Sequence, residues 1–157
     1  MLLAGPAQAA DTKASTQRKG SGLPIPRFAT LKSDEVNVRT GPGSRYPIDW
    51  VFKRKGMPVE IVAEYENFRK IRDWQGASGW VYQGLLTGKR SFIIPSKVAN
   101  LYKTPAASAE VIAKLEPEVM GEIRSCQGDW CRVKVSSVTG WLQRTEIWGV
   151  YKSEPVN

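Results

Sequence analysis

The sequence predicts an all-β protein: two tandem small β-barrels behind a disordered N-terminal segment. Three observations carry that expectation. A motif around Asn37 returns around Asn100, so the 157 residues read as two copies of a unit of about 60 residues, not as the single domain that length alone suggests. Within each copy the apolar residues fall in short runs broken by Gly and Pro, and no stretch sustains the 3.6-residue period of a helix. So many short strands in so few residues can enclose a core only by bending sharply into a barrel.

Taken in chain order, residues 1–10 read as the remnant of a signal peptide. Ala7-Gln8-Ala9 is the small-x-small pattern that a signal peptidase cuts after, and it follows a short apolar piece. Cleavage near Ala9 or Ala10 makes the mature protein periplasmic or secreted, and the missing basic region implies that the start codon lies inside a longer gene. Residues 11–26 read as a flexible linker, basic first and then stiffened by Pro24 and Pro26. Lys13, Arg18, Lys19, Arg27 and Lys32, set against Asp11, give Asp11 to Ser33 half of the net charge of +8.

The first barrel is assigned to residues 27–90 and the second to 91–157. In the first, Val36 to Val38 alternates, Gly41-Pro42-Gly43 breaks the run, and Trp50-Val51-Phe52 starts the next. Lys53-Arg54-Lys55 reads as a solvated hairpin tip. Val59 to Ala63 is the longest predicted strand, Phe68 to Ile71 its hairpin partner, and Gly79 to Tyr82 the closing strand. The second barrel repeats these as Val111 to Leu115, Val119 to Arg124, Trp130 to Val135 and Gly140 to Leu142. Three anchors hold the copies in register: Asn37 with Asn100, Asn67 to Ile71 with Asp129 to Val133, and Gly79-Trp80-Val81 with Gly140-Trp141-Leu142. The lead-in Arg27-Phe28 is paired with Ser91-Phe92. Gly79 and Gly140 mark close backbone approach or a bulge at a barrel corner.

Cys126 and Cys131 flank Gln127-Gly128-Asp129-Trp130, in which Gly-Asp is turn chemistry, so the two thiols are placed to face each other across a hairpin. A disulfide there closes a short loop and adds about 2 kcal/mol in an oxidising compartment. Two reduced thiols remain the alternative, and without histidine a pair of cysteines makes a poor zinc site.

Composition narrows the function. The chain has 0 His, which removes Ser-His and Cys-His catalytic pairs and the H-E-x-x-H metalloprotease motif. No paired-carboxylate spacing or nucleophile motif replaces them, so neither enzyme activity, metal nor cofactor is expected. No apolar run reaches the ~20 residues of a membrane span. With 23 Lys+Arg against 15 Asp+Glu, anionic partners are favoured.

The string Val36-Asn37-Val38-Arg39-Thr40-Gly41-Pro42-Gly43, followed by Lys55-Gly56, Val59-Glu60-Ile61, Phe68-Arg69-Lys70-Ile71 and Gly79-Trp80-Val81, resembles the bacterial SH3 (SH3b) family. The second copy matches less closely, with Asn100-Leu101-Tyr102 in place of the N-V-R core and no Gly-Pro-Gly. The tandem pair with its lead-in is similar to exported SH3-like proteins of Gram-negative bacteria. The resemblance implies a non-catalytic binding module or adaptor of the envelope, its partner being peptidoglycan or an envelope protein. An accessory regulator of a protein partner is the alternative. Single-stranded nucleic acid is a third reading, disfavoured by a charge beyond the tail that is spread among many acids.

The candidate ligand-binding residues are Asn37, Arg39, Arg45, Tyr46 and Trp50, in and around the long first loop, because loops on a rigid barrel concentrate binding groups. Arg39 and Arg45 suit the carboxylates of a peptide stem, and Tyr46 or Trp50 suits a stacked sugar or proline. The opposing role for Asn37 and Arg39 is to tie that loop to the barrel. Phe68, Trp80, Trp130 and Trp141 are expected in the core, where large rings fill a minimal barrel.

Overall fold

A computed structural model describes residues 20–157. The signal-peptide reading and most of the basic linker therefore lie outside the described residues. The first unit forms β1 (Arg27–Leu31), β2 (Val36–Arg39), β3 (Ile48–Phe52), β4 (Pro58–Tyr65), β5 (Phe68–Arg72) and β6 (Ser78–Tyr82), then a 3-10 turn at Gln83–Leu85 and β7 (Leu86–Thr87). The second forms β8 (Ser91–Ile93), β9 (Ala99–Tyr102), β10 (Val111–Leu115), β11 (Met120–Gln127), β12 (Trp130–Val135) and β13 (Val138–Gln143), then a 3-10 turn at Arg144–Glu146. Their sheets run β3-β2-β6-β5-β4-β1-β7 and β10-β9-β13-β12-β11-β8. The fold is all-β, as the alternating runs predict.

The repeat extends to the irregularities. The register shifts between Val38 and Arg39 against β3, and between Val111 and Ala113 against β9. A second shift falls between Ile61 and Ala63 in β4 and between Ile123 and Ser125 in β11. Bulges bend and twist the strand that carries them, which is how eight-residue β4 and β11 turn from one side of a barrel to the other. Each barrel corner closes on one bridge, Arg39 with Trp80 and Tyr102 with Trp141. The glycines before those tryptophans permit it. A Cβ on Gly79 would sit 3.2 Å from the Arg39 carbonyl oxygen and collide with Val38, and one on Gly140 would sit 2.9 Å from the Tyr102 carbonyl oxygen.

The first core is aliphatic with Met57, and the second is aliphatic around Phe92. Leu31, Val36, Val38, Met57, Val59, Ile71 and Val81 fill the first, and Phe92, Ile94, Leu101, Val133 and Leu142 lead the second. The expectation that Phe68, Trp80, Trp130 and Trp141 belong to the core is corrected. All four are half-buried on the outer faces, because Arg69, Val81, Cys131 and Leu142 take the inward positions of the alternation. Trp50 and Phe52 pack against the first core instead, edge to face at 5.7 Å.

The lead-in pairing also shifts by one residue. Phe28 lies opposite Glu60 and Ser91 opposite Glu122, so Phe28 corresponds to Ser91, and Ala29 to Phe92. Phe28 is thereby left over from the barrel core and joins the two units. Its ring packs 4.9 Å from Trp148 and 4.5 Å from Tyr151, with the Arg90 guanidinium 5.7 Å from its centroid. Arg90 pairs with Glu154 at 2.7 Å, and the Tyr151 hydroxyl donates to Glu60 at 2.6 Å. Burial first, then the Glu60 carboxylate, pushes that hydroxyl far above the ordinary tyrosine range. At the hairpin tip Lys53, Arg54 and Lys55 are exposed, and Arg54 donates to the Glu118 carbonyl at 2.8 Å.

Candidate functional site

The long loop between β2 and β3 is self-braced. The Thr40 amide donates to Pro47, the Gly43 amide to Gly41 and the Tyr46 amide to Gly43. Arg39, half-buried at the end of β2, donates from Nη1 to the Ser44 carbonyl at 3.0 Å and the Tyr46 carbonyl at 2.9 Å. The tying role thus takes one nitrogen of its guanidinium. Among the described residues no acceptor takes Nη2. The Tyr46 ring covers Gly41, where any Cβ would collide with it. Arg45 lies over the other side of the loop, its guanidinium 5.3 Å from the Tyr46 centroid. The neighbouring Tyr46 side chain holds that exposed cation above its ordinary pKa.

The structure brings some candidates together and separates others. Asn37 and Arg39 share the outer face of β2 and line a groove of about 480 Å³ with Ser44, Asn67, Phe68, Tyr82 and Leu85. Arg45 and Tyr46 sit above it on the loop. Trp50 points to the other face of the sheet and packs on the core, so it does not join the groove. Phe68 and Tyr82 were not singled out for binding by the sequence. Their signal lay in the pairing: Phe68 is the cross-strand partner of Tyr82, and Lys70 of Trp80, which aligns four outward side chains on β5 and β6. The Phe68 and Tyr82 rings meet edge to face at 6.0 Å, and Tyr82 is 48% exposed. A flat aromatic surface beside a guanidinium is the chemistry for a ligand with a sugar or apolar face and a carboxylate.

Two other grooves hold none of the candidate residues. A broad one of about 1120 Å³ runs between the barrels past Lys32, Lys55, Lys89 and Met120. Another, of about 650 Å³, lies along Ser21 to Phe28. Cys126 and Cys131 form the disulfide expected of them, and both are buried. Among the described residues no cluster of His, Cys, Asp or Glu is arranged to hold a metal ion, and no helix is long and apolar enough to cross a membrane.

Comparison with known proteins agrees with the repeat. A curated relative, the "Putative N-acetylmuramoyl-L-alanine amidase YrvJ" of Bacillus subtilis (strain 168), is 28% identical over 125 residues, covering 73% of this chain. The chain spans only 24% of that protein's length. Among solved structures, NlpC2 from Trichomonas vaginalis overlaps 80% of this chain and 49% of its own at a TM-score of 0.36 and 13% identity. An NlpC/P60 family protein from Bacillus cereus ATCC 10987 overlaps 80% and 57% at a TM-score of 0.35 and 15% identity. The bacterial SH3 domain family matches twice, over residues 32–88 and 96–149, and with two such matches spanning most of its length the chain belongs to that family.

Proposed function

We propose that this protein is a non-catalytic, peptidoglycan-associated binding module of the bacterial envelope, and that the groove on the outer face of the first barrel holds the ligand. The observation that carries the reading is the groove itself, where the Phe68 and Tyr82 rings flank Asn37 and Arg39. The matched Bacillus relative is named for N-acetylmuramoyl-L-alanine, a linkage of peptidoglycan, which supports the choice of ligand. Tyr82 and Phe68 stack on a sugar or peptide face, and the free side of Arg39 meets a carboxylate. Arg45 and Tyr46 form the rim, and Trp50 supports the sheet from behind.

Sedimentation of the full chain with purified peptidoglycan tests this. Retention in the pellet at physiological salt, lost in Tyr82→Ala and Phe68→Ala variants that keep their melting temperature, is the expected result. A clear supernatant would overturn the reading in favour of an accessory regulator that binds an envelope protein.

A further inference from the structure

The groove of about 1120 Å³ between the barrels shares no residue with the site on the first barrel, and its charge is one-sided. Hydrogen bonds gather its cations. The Gly56 amide donates to the Leu31 carbonyl and the Lys32 amide to the Leu85 carbonyl, both at 2.9 Å, and the Thr30 hydroxyl donates to the Lys89 carbonyl at 2.6 Å. Lys55, Lys32 and Lys89 are thus brought from three separate segments to the last residues of β1. The second unit contributes Met120 to Arg124 of β11 to the lining, and Met120, packed against the first core, fixes that strand to the first unit.

The ammonium groups are uncompensated. Lys32, Lys55 and Lys89 are exposed, and among the described residues no acid lies within ion-pair distance of any of them. The guanidiniums of the lining are already engaged, Arg90 with Glu154 at 2.7 Å and Arg124 with Glu122 at 3.0 Å. Glu122, the acidic side chain of the lining, is therefore answered on its own strand. A cleft lined by charge of one sign focuses its field and concentrates counter-ions, which the same charges scattered over a convex surface do not. Between the cations lie Leu86, Thr87, Gly88 and Met120, and no aromatic ring lines the groove.

We propose that this groove binds a linear chain of phosphodiester groups, a polymer of phosphate-linked polyol or sugar units. Each free ammonium meets one phosphate. Lysine is a point charge on a flexible stem and can follow a mobile chain, whereas a carboxylate is matched best by a guanidinium fork, and the forks here are taken. Single-stranded nucleic acid also offers phosphates, but its bases are held by stacking on aromatic side chains, which this groove lacks. The proposal does not rest on the reading of the first barrel's groove, because it uses other residues and another class of ligand.

The test is fluorescence anisotropy of labelled poly(glycerol phosphate) titrated with the full, disulfide-bonded chain. Saturable binding is expected, with an affinity that falls with salt at a log–log slope of about −2, from three phosphate contacts at roughly 0.7 counter-ion each. The triple variant Lys32→Gln, Lys55→Gln, Lys89→Gln should bind about tenfold or more weakly, having lost those contacts. The triple variant Lys53→Gln, Lys97→Gln, Lys114→Gln removes the same charge from exposed positions outside the groove, and screening should hold its change within about twofold at physiological salt. All six side chains are exposed, so both variants should melt with the parent. Equal losses in the two triples would mean that net charge alone attracts the polymer, and the proposal would fall. It would fall equally if oligothymidylate or poly-L-glutamate of matched charge bound the parent as tightly, the first in favour of nucleic acid and the second against any selection for phosphate. Polymer binding beside a clear peptidoglycan supernatant would leave this proposal standing without the reading above; pelleting without polymer binding would do the opposite.

Discussion

The same cross-strand position is closed by a salt bridge in one barrel and by a covalent bond in the other. Glu64 lies opposite Arg69 in the first hairpin, and Cys126 lies opposite Cys131 at the matching place in the second. In the first, Arg69 approaches Glu64 at 3.5 Å and donates to the Glu66 and Phe68 carbonyls and to Gln83. Glu64 also accepts from Ser21 and Arg27. In the second, the disulfide needs no such shell, and the guanidinium that satisfies the hairpin carbonyl of Gly128 comes from Arg144. A terminal segment covers this end in both units: Ser21 reaches Glu64, and Val156 exchanges backbone hydrogen bonds with Cys126. A buried ion pair depends on every member of its network, whereas a disulfide acts mainly on the unfolded chain.

The largest effect should follow from breaking the ionic version. Arg69→Met keeps the length of the side chain but leaves buried Glu64 short of a donor and three acceptors unmet, so a loss of about 3–5 kcal/mol is expected in urea unfolding. Removing the covalent version with Cys126→Ala and Cys131→Ala should cost less, about 2 kcal/mol from loop closure. If the cysteine pair proved costlier than Arg69, the comparison would be reversed and the shell around Glu64 would be ornamental. Trp80→Ala comes next. A core tryptophan would cost about 3–5 kcal/mol, but a half-buried outer ring should cost about 1–2 kcal/mol, so the variant should remain folded.

That last contrast shows what the sequence made legible. A strand with one dry face announced itself by alternation: Trp130–Val135 has the boundaries read from the residues alone, and so does Val111–Leu115, though Val111 and Ile112 are exposed. β1 and β8 did not, because Phe28 to Leu31 and Ser91 to Ile94 are buried on both sides, and a strand buried on both faces has no inside-outside period to read. The candidate groove was half legible. Arg39 and its loop stood out through Gly41-Pro42-Gly43, whereas Phe68 and Tyr82 meet only once β5 and β6 pair, and a count of aromatics assigned such rings to the core. The junction built on Phe28, Arg90, Tyr151 and Glu154 joins residues far apart in sequence, so no local pattern encodes it.

Acid should separate three partly buried carboxylates by sign. Burial raises the Glu64 and Glu154 carboxyls, but the donors around them win: Ser21, Arg27 and Arg69 on Glu64, and Arg90 and the Tyr151 amide on Glu154. Their folded pKa values lie below the unfolded ones, so their stabilisation is present above the unfolded value and is lost as pH falls through the folded one. Glu146 is raised by burial, so its charge opposes folding at neutral pH and protonation relieves it. Glu146→Gln should therefore be more stable than the parent at pH 7, with the gain fading as pH falls toward the unfolded glutamate value near 4.3. Glu64→Gln should lose stability at pH 7 and approach the parent only below that range. Melting temperatures across pH for both variants decide it, and a gain for Glu146→Gln that grew on acidification would refute the upward shift of its carboxyl.

The smallest effect concerns two backbone positions at which the copies have exchanged glycine and glutamate. The turn before β4 has Gly56 at φ 90° and the turn before β11 has Glu118 at φ 71°, while the β4–β5 tip has Glu66 at φ 49° and the β11–β12 tip has Gly128 at φ 57°. At these two positions neither copy is fully relaxed, since each has one L-residue where a Cβ crowds the carbonyl oxygen at a cost of roughly 1–2 kcal/mol. Glycine removes that cost but adds freedom to the unfolded chain, which takes back about half of it. Glu118→Gly and Glu66→Gly should each stabilise by roughly 0.5 kcal/mol, and Gly56→Ala and Gly128→Ala should each destabilise by about 1 kcal/mol. The Glu66 carbonyl accepts from Arg69 at 2.8 Å and the Glu118 carbonyl from Arg54 at 2.8 Å, so both tips are held in place from outside the turn. If Arg69→Met abolished the gain from Glu66→Gly, the guanidinium would be what imposes the left-handed turn; if the two effects were additive, the hairpin would adopt it unaided.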